Sequence, residues 1–274
     1  MSAPPQDDFV SGTSGEVSGI RTTAKAILAD ALDDATAFVR LQPYRLGRAA
    51  RTLPRRRVLV LAIERTDTPN LLAEAQAELM GSRHDVRIAT APAGRHGKFE
   101  NLGTLLAQHP PTDRDWLLVL DDDVALPRNF LDRFLFLVER FGLQIAQPAH
   151  RQRSHAAWQI TRRRRGSLVR QTPFVEIGPV FAFAATTFDV LLPFPPLKVG
   201  WGLDLHWSAL ACERGWRSGV IDATPIRHGL RLIATSYART DALDEARTFL
   251  ATRPYTRAAD AQRTLAAHRT LKRR

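Results

Sequence analysis

Apolar positions recur along this chain with two different periods, and the alternation between them predicts the architecture. From Arg21 to about Arg40, Ala24, Ile27, Leu28, Ala31, Leu32, Ala35, Phe38 and Val39 return at helical spacing. That spacing predicts an amphipathic helix able to pack on the body, on a partner or on a membrane surface, followed by a linker around Pro43 to Pro54. Val58 to Ile63 is then a short, β-branched apolar run suited to a strand buried on both faces. NLLAEAQAEL after Pro69 reads as a helix with proline in its first turn, DVRIATAP as a second strand, GKFENLGTLLAQH as a second helix, and DWLLVLDDD as a third strand leading into a helix near Pro127. This order predicts an α/β fold: a mostly parallel mixed sheet flanked by helices, with loops at the strand carboxyl ends where a ligand would bind.

Beyond Phe141 the pattern loosens. QIAQPAH reads as a strand, the stretch from Trp158 to Ala185 as a hairpin-like pair of strands around a basic loop, LDLHWSALACERG as a helix ending at Gly215, and SGVIDATPIRH as a short final strand. The expected organisation is a disordered tail over 1–19, an N-terminal helix and linker over 20–56, a main domain over 57–232, and a helical extension over 233–274 broken at Pro254.

Composition narrows the partners without choosing one. Thirty-nine Lys and Arg against 28 Asp and Glu leave a formal charge of +11, which attracts nucleotides, phosphorylated acceptors, nucleic acid or an anionic membrane face. Arg55 to Arg57, Arg162 to Arg165 and Lys272 to Arg274 are the dense clusters. The first 19 residues are acidic and polar where an export signal needs a basic end and an apolar stretch, so the expected location is cytoplasmic, with peripheral membrane contact and a homodimer left open. Cys212 is the single cysteine, which excludes an internal disulfide and is expected to be a small buried apolar residue. Trp158, Trp207 and Trp216 are assigned to the core ahead of a sugar platform. No P-loop, no G-x-S-x-G elbow and no zinc spacing appear.

The chemistry concentrates at Asp121, Asp122 and Asp123, which close an apolar strand at the ligand edge. Alternation along a strand directs Asp121 and Asp123 to the same side. Three adjacent negative charges repel one another unless a cation or an array of donors neutralises them. A divalent ion that also bridges a diphosphate satisfies that need, since Mg²⁺ and similar ions take one or two carboxylates plus phosphate oxygens. Lys98, at a predicted helix start, adds a cation where a phosphate would sit.

WLLVLDDDVALPRNFLDRFL resembles the DxD segment of glycosyltransferases of the A-type fold (family 2-like), and the resemblance spans about residues 57 to 230. It implies a Rossmann-like nucleotide-binding half and transfer of a sugar from a nucleoside diphosphate sugar to a hydroxyl acceptor, with Mn²⁺ or Mg²⁺. Gly97 to Leu102 is similar to the family's Gly-Lys-x-x-Asn segment, which implies Lys98 and Asn101 at the nucleotide. Trp201-Gly202-Leu203-Asp204 matches an aromatic and glycine segment with an acidic residue, which implies Asp204 as general base and Trp201 and Gly202 beside the sugar or acceptor. His228 matches a late metal ligand to be shared with Asp121 and Asp123, with Asp222 as the alternative. Asp121 and Asp122 are implied at the ribose or sugar hydroxyls, and Glu176, ahead of Ile177-Gly178-Pro179, at the sugar. The second strand departs from the family in having no aspartate for a uracil base at its end, and Glu64 and Arg65, closing the first strand, are assigned to base or ribose instead. Arg162 to Arg165 are expected to close over the diphosphate as a flexible loop.

The rival readings are a nucleotidyltransferase of similar fold, a nucleic-acid-binding protein or metal-dependent nuclease, and a catalytically silent scaffold. The first needs a Gly-rich, Arg-containing loop that is not found at Glu64 to Thr68. The second needs aromatics interleaved with basic residues, whereas here they lie mostly in apolar runs, so no specific nucleic acid is expected.

Overall fold

The structure is a computed structural model and describes residues 7–13, 15–231 and 237–272. Helices α1 (Ile20–Val39) and α2 (Gln42–Ala50) precede the sheet. The expected alternation then follows: β1 (Arg57–Glu64), α3 (Leu72–Met80), β2 (Asp85–Pro92), α4 (Lys98–Gln108) and β3 (Trp116–Asp121). Next come β4 (Val124–Ala125), α5 (Phe130–Phe141), β5 (Ile145–His150), β6 (Val169–Thr172), β7 (Val180–Ala184), α6 (Phe188–Leu191) and α7 (Leu203–Glu213). The chain finishes with β8 (Ser218–His228), α8 (Arg239–Leu250), α9 (Ala258–Ala261) and β9 (Ala266–His268).

The strands form one mixed α/β sheet in the order β2-β1-β3-β7-β5-β8-β6-β9, with β4 pairing β8 to the side. β1 runs parallel to β2 and β3, and β5 parallel to β8; the other pairings are antiparallel. Alternation along each strand divides the core between the two faces. Leu59, Leu61, Leu117, Val119, Phe181 and Phe183 pack with α4 and α7 on one side. Val58, Val60, Ala62, Leu118, Leu120 and Ala182 pack with α3 and α5 on the other. Because helices cover both faces, β1 and β3 read as unbroken apolar runs.

Several expectations change in physical detail. The linker around Pro43 to Pro54 is largely α2, since Pro43 falls in the first helical turn, where its missing N–H is no loss. Pro69, by contrast, lies ahead of α3, which starts at Leu72. The stretch from Trp158 to Ala185 is not a hairpin. VFAFA is apolar on both faces and enters the enclosed place between β3 and β5, while β6, which carries Arg170, pairs with β8 and β9 near the edge. The C-terminal extension is not wholly helical, because β9 adds a strand to β6 and makes β6 internal.

The tail expected to be disordered also packs where it is described. Phe9 joins the core at 7% exposure, and the Asp8 carbonyl accepts from Ala258 N at 2.7 Å. Gly15, with φ near +65°, lies so close to the Ala156 carbonyl that a Cβ would stand 2.0 Å from its oxygen. A polar average concealed one apolar anchor and one glycine contact. Cys212 is exposed, not buried. Trp158 and Trp207 are in the core as assigned, and Trp216 packs partly buried against it.

Candidate active site

A cavity of about 810 Å³ opens at the carboxyl ends of β1, β2 and β3. Residues 9–13 and Glu16 form one wall, and the loops after β1 to β3, the segment before β7, the start of α7 and the end of β8 form the rest. This is the edge at which helix crossovers leave strand ends uncovered.

The three aspartates line the cavity, each with its own partners. Asp121, last residue of β3, receives Lys98 Nζ at 2.6 Å, and Lys98 also donates to the Ile177 carbonyl at 3.0 Å. Gly178 allows this approach, since a Cβ there would come within 3.0 Å of both Asp121 Oδ2 and Lys98 Nζ. Asp122 is buried and accepts from Arg65 N at 2.7 Å and from the Arg231 guanidinium. Asp123, also buried, meets His228 Nε2 at 3.2 Å and Arg231 Nε at 3.4 Å. Strand alternation therefore does not pair Asp121 with Asp123: β3 stops at Asp121, and the next two residues turn toward β8 and Arg231.

These pairings shift Asp121, Asp123 and His228 in different directions. Burial drives Asp121 upward, the neighbouring Asp123 adds to this, and Lys98 opposes it. Burial also pushes Asp123 up, but His228 and Arg231 outweigh it and hold the carboxyl below its ordinary value. His228 is the mirror case. Burial lowers it, yet Asp123 and then Asp121 bring it above the ordinary imidazole value.

Glu176, Asp204, His150 and Trp201 line the same cavity, and the His150 ring stands 6.2 Å from that of His228. Gly202, with φ near +84°, starts α7 and leaves Asp204 in its first turn, 4% exposed, with Oδ1 accepting from Leu205 N at 2.9 Å. Burial first, and the Glu176 charge second, push Asp204 up to about 8. His150 is fully buried, and its Nε2 stands 3.4 Å from Glu176 Oε2 in poor hydrogen-bond alignment. Among the described residues, both His150 ring nitrogens and Glu176 Oε2 lack a hydrogen-bond partner. Buried polar atoms in that condition are costly unless a ligand or water completes them. Trp201 Nε1 donates to Tyr237 Oη at 3.1 Å, which fixes the indole at the cavity wall.

The cavity thus gathers Arg65, Lys98, Asn101, Asp121, Asp122, Asp123, Glu176, Trp201, Gly202, Asp204 and His228. It leaves out Glu64, whose carboxylate takes Asn70 Nδ2 at 3.3 Å, and Asp222, which is buried in a two-bond pair with Arg170 at 2.9 Å. Asn101 reaches the lining but spends its amide on the Ala93 and His96 carbonyls, holding the loop ahead of α4. The Arg162 to Arg165 run is not a flexible loop over the site. Arg163 and Arg165 pair with Asp34 and Asp33 of α1, and Arg162 bonds the backbone of Gln152, Ser154 and Gly15.

Reading the sequence missed Arg231, Tyr237 and His150. One signal for His150 was present: QIAQPAH and VIDATPIRH both end in histidine, and β5 and β8 run parallel, so both imidazoles reach the same edge.

As metal ligands, the residues offer a small set. No group of three or more His, Cys, Asp or Glu side chains is arranged to hold an ion among the described residues. Asp123 and His228 converge, whereas Asp121 is turned to Lys98. One carboxylate and one imidazole suffice for a Mg²⁺- or Mn²⁺-like ion only where phosphate oxygens complete the shell.

No family model and no curated protein matches this chain. Among solved structures, it is similar to GalNAc-T7 with UDP, GalNAc and Mn²⁺ at TM-score 0.46 and 11% identity, over 66% of this chain and 45% of that one. It is also similar to S. aureus TarS 1-349 in complex with UDP-GlcNAc, at TM-score 0.45 and 11% identity, over 74% and 69%. A third likeness is to A197 from STIV, at TM-score 0.44 and 12% identity, over 64% and 86%. This chain therefore spans less than half of the GalNAc-T7 chain.

Proposed function

We propose that this protein is a glycosyltransferase that moves a sugar from a nucleoside diphosphate sugar to a hydroxyl acceptor. The observation that carries the reading is one cavity lined by two chemically different sets of groups. The first set is cations and carboxylates, Lys98, Arg231 and Asp121 to Asp123, and the second is a buried carboxyl raised to about 8, Asp204, with Glu176 beside it. A diphosphate leaving group needs positive charge where it departs. An incoming hydroxyl needs a proton acceptor whose pKa lies near the working pH.

In this reading Lys98, at the amino end of α4, and Arg231 bind the diphosphate, and Asp121 takes a ribose or sugar hydroxyl. Asp122, held by Arg65 N and Arg231, acts as a positioning residue. Asp123 and His228 would hold the divalent cation, which when bound adds charge stabilisation at the leaving phosphate. Glu176, His150 and Trp201 face the transferred sugar or the acceptor. The acceptor oxygen forms a bond to the sugar's anomeric carbon as the carbon–oxygen bond to the diphosphate breaks, and the hydroxyl proton passes to Asp204.

The nucleic-acid reading gains no support from the Arg162 run, because Arg162, Arg163 and Arg165 are committed to α1 and to backbone carbonyls. The test is thermal stability of the purified chain against nucleoside diphosphates and nucleotide sugars, with and without Mn²⁺ or Mg²⁺. A ligand bound only to the folded state raises Tm by mass action. A shift that needs both diphosphate and cation, and disappears in Asp123→Ala, supports the proposal and identifies the base; a shift with DNA or RNA alone overturns it.

A further inference from the structure

Helix α1 is mounted with its apolar side outward. A helix packed on a soluble body turns its hydrophobic stripe to the core. Here the inward side carries Asp30 and Asp33, 6% and 4% exposed, with only Ala26 and Ala37 as buried apolar neighbours. Charge does the fastening. Asp30 accepts from Gln152 N at 2.8 Å and Arg153 N at 3.1 Å, Asp33 pairs with Arg165 at 2.5 Å, and Asp34 joins Arg151 and Arg163.

The opposite side presents Ile20, Leu28, Leu32, Phe38 and Val39, each between 47% and 91% exposed, and Leu41 and Tyr44 extend it into α2. Arg21 and Lys25 at its start, and Arg45, Arg48 and Arg51 along α2, are exposed around it. A continuous apolar stripe of this kind marks a surface that something covers.

We propose that α1 and α2 form a docking surface for an anionic lipid bilayer, with α1 lying in the plane of the interface. At 20 residues α1 is about 30 Å long, but it contains Arg21, Lys25, Asp30, Asp33 and Asp34. No helix among the described residues is long and apolar enough to cross a membrane. An in-plane helix buries one apolar face at the headgroup boundary and keeps its polar face on the protein side. A second copy of the chain is the weaker occupant: a two-fold pairing through this stripe would bring its basic rims together. A layer of acidic headgroups neutralises the same rim. The proposal is independent of the glycosyl-transfer reading.

Co-sedimentation of the full chain with phosphatidylcholine vesicles, with and without about a third phosphatidylglycerol, tests it. The chain is expected to pellet with the anionic vesicles and to bind the neutral ones at least roughly tenfold more weakly. Leu28→Gln combined with Phe38→Gln, both at exposed positions, should keep the wild-type melting curve and lose roughly tenfold or more of the anionic-vesicle binding. Arg45→Gln with Arg48→Gln should weaken it by about fivefold per charge. A wild-type chain that stays in the supernatant overturns the proposal. So does a Leu28/Phe38 variant that binds like wild type, or a wild-type dimer that this variant dissolves, which would assign the stripe to a second copy.

Discussion

Two acidic runs in this chain meet basic partners, and they do different things. Asp30, Asp33 and Asp34 lie between α1 and the body, where Arg151, Arg163 and Arg165 use them to clamp one element onto another. Asp121, Asp122 and Asp123 meet Lys98, Arg231 and His228 around an open cavity at the ends of parallel strands. In composition the clusters are alike. The difference is what stands on the far side of the ion pairs: packed protein in one case, room for a ligand in the other. Paired charge holds structure where it is enclosed, and it becomes a candidate for chemistry where incoming charge can exchange partners with it.

The comparison predicts a graded series of effects. The largest loss of stability belongs to the enclosed kind of pair at its most buried. Asp222→Ala leaves Arg170, itself 3% exposed, without its carboxylate, and should cost about 3–5 kcal/mol. A fall in Tm of roughly 2–4 °C for each kcal/mol would show it in a thermal melt; an unchanged melt would show that this pair is not structural. At the cavity, Asp123→Ala should instead cut turnover of the proposed transfer by about 100-fold or more while altering the melt little in the absence of ligand. A variant that loses its fold as fast as its activity would erase the distinction between the two clusters.

A third effect depends on pH. With Asp204 raised to about 8, turnover should climb roughly tenfold per pH unit up to pH 8 and then level, a profile that Asp204→Asn should abolish along with most of the rate. The same shift acts on stability with a definite sign. A carboxyl whose folded pKa lies above its unfolded value near 3.8 favours folding fully below that value and loses this contribution as pH rises through 8. Asp204→Asn should therefore melt close to wild type at pH 4 and several degrees higher at pH 9. Equal melting temperatures at both would remove the raised pKa from the argument. The smallest effect is expected at the α1 clamp: Arg165 is half exposed, so Asp33→Ala should cost only about 1 kcal/mol, measurable by urea titration, and should leave the proposed nucleotide binding intact.

Much of the half of the fold from β1 to β3 was written in the apolar periods. Val58 to Ile63, DVRIATAP and WLLVLD are short apolar or alternating runs separated by helical ones, and such local patterns admit few topologies because parallel strands need crossovers. Asp121 to Asp123, Lys98, Asp204 and His228 were likewise recognisable, since each ends a strand or starts a helix that the pattern locates. What the residues did not determine was their choice of partner. Strand alternation pairs Asp121 with Asp123, but β3 ends two residues too early, and Lys98 and His228 divide them. The Arg162 run looks like a phosphate loop until α1 supplies Asp33 and Asp34 from more than a hundred positions away. Phe9 sits in a segment whose composition reads as disordered, and only the cavity wall and the 258 turn give it a place. Local period determined the elements because hydrogen bonding and side-chain direction act over a few residues. Ion pairing and burial act through space, so tertiary structure alone decided which charges hold the fold and which face a ligand.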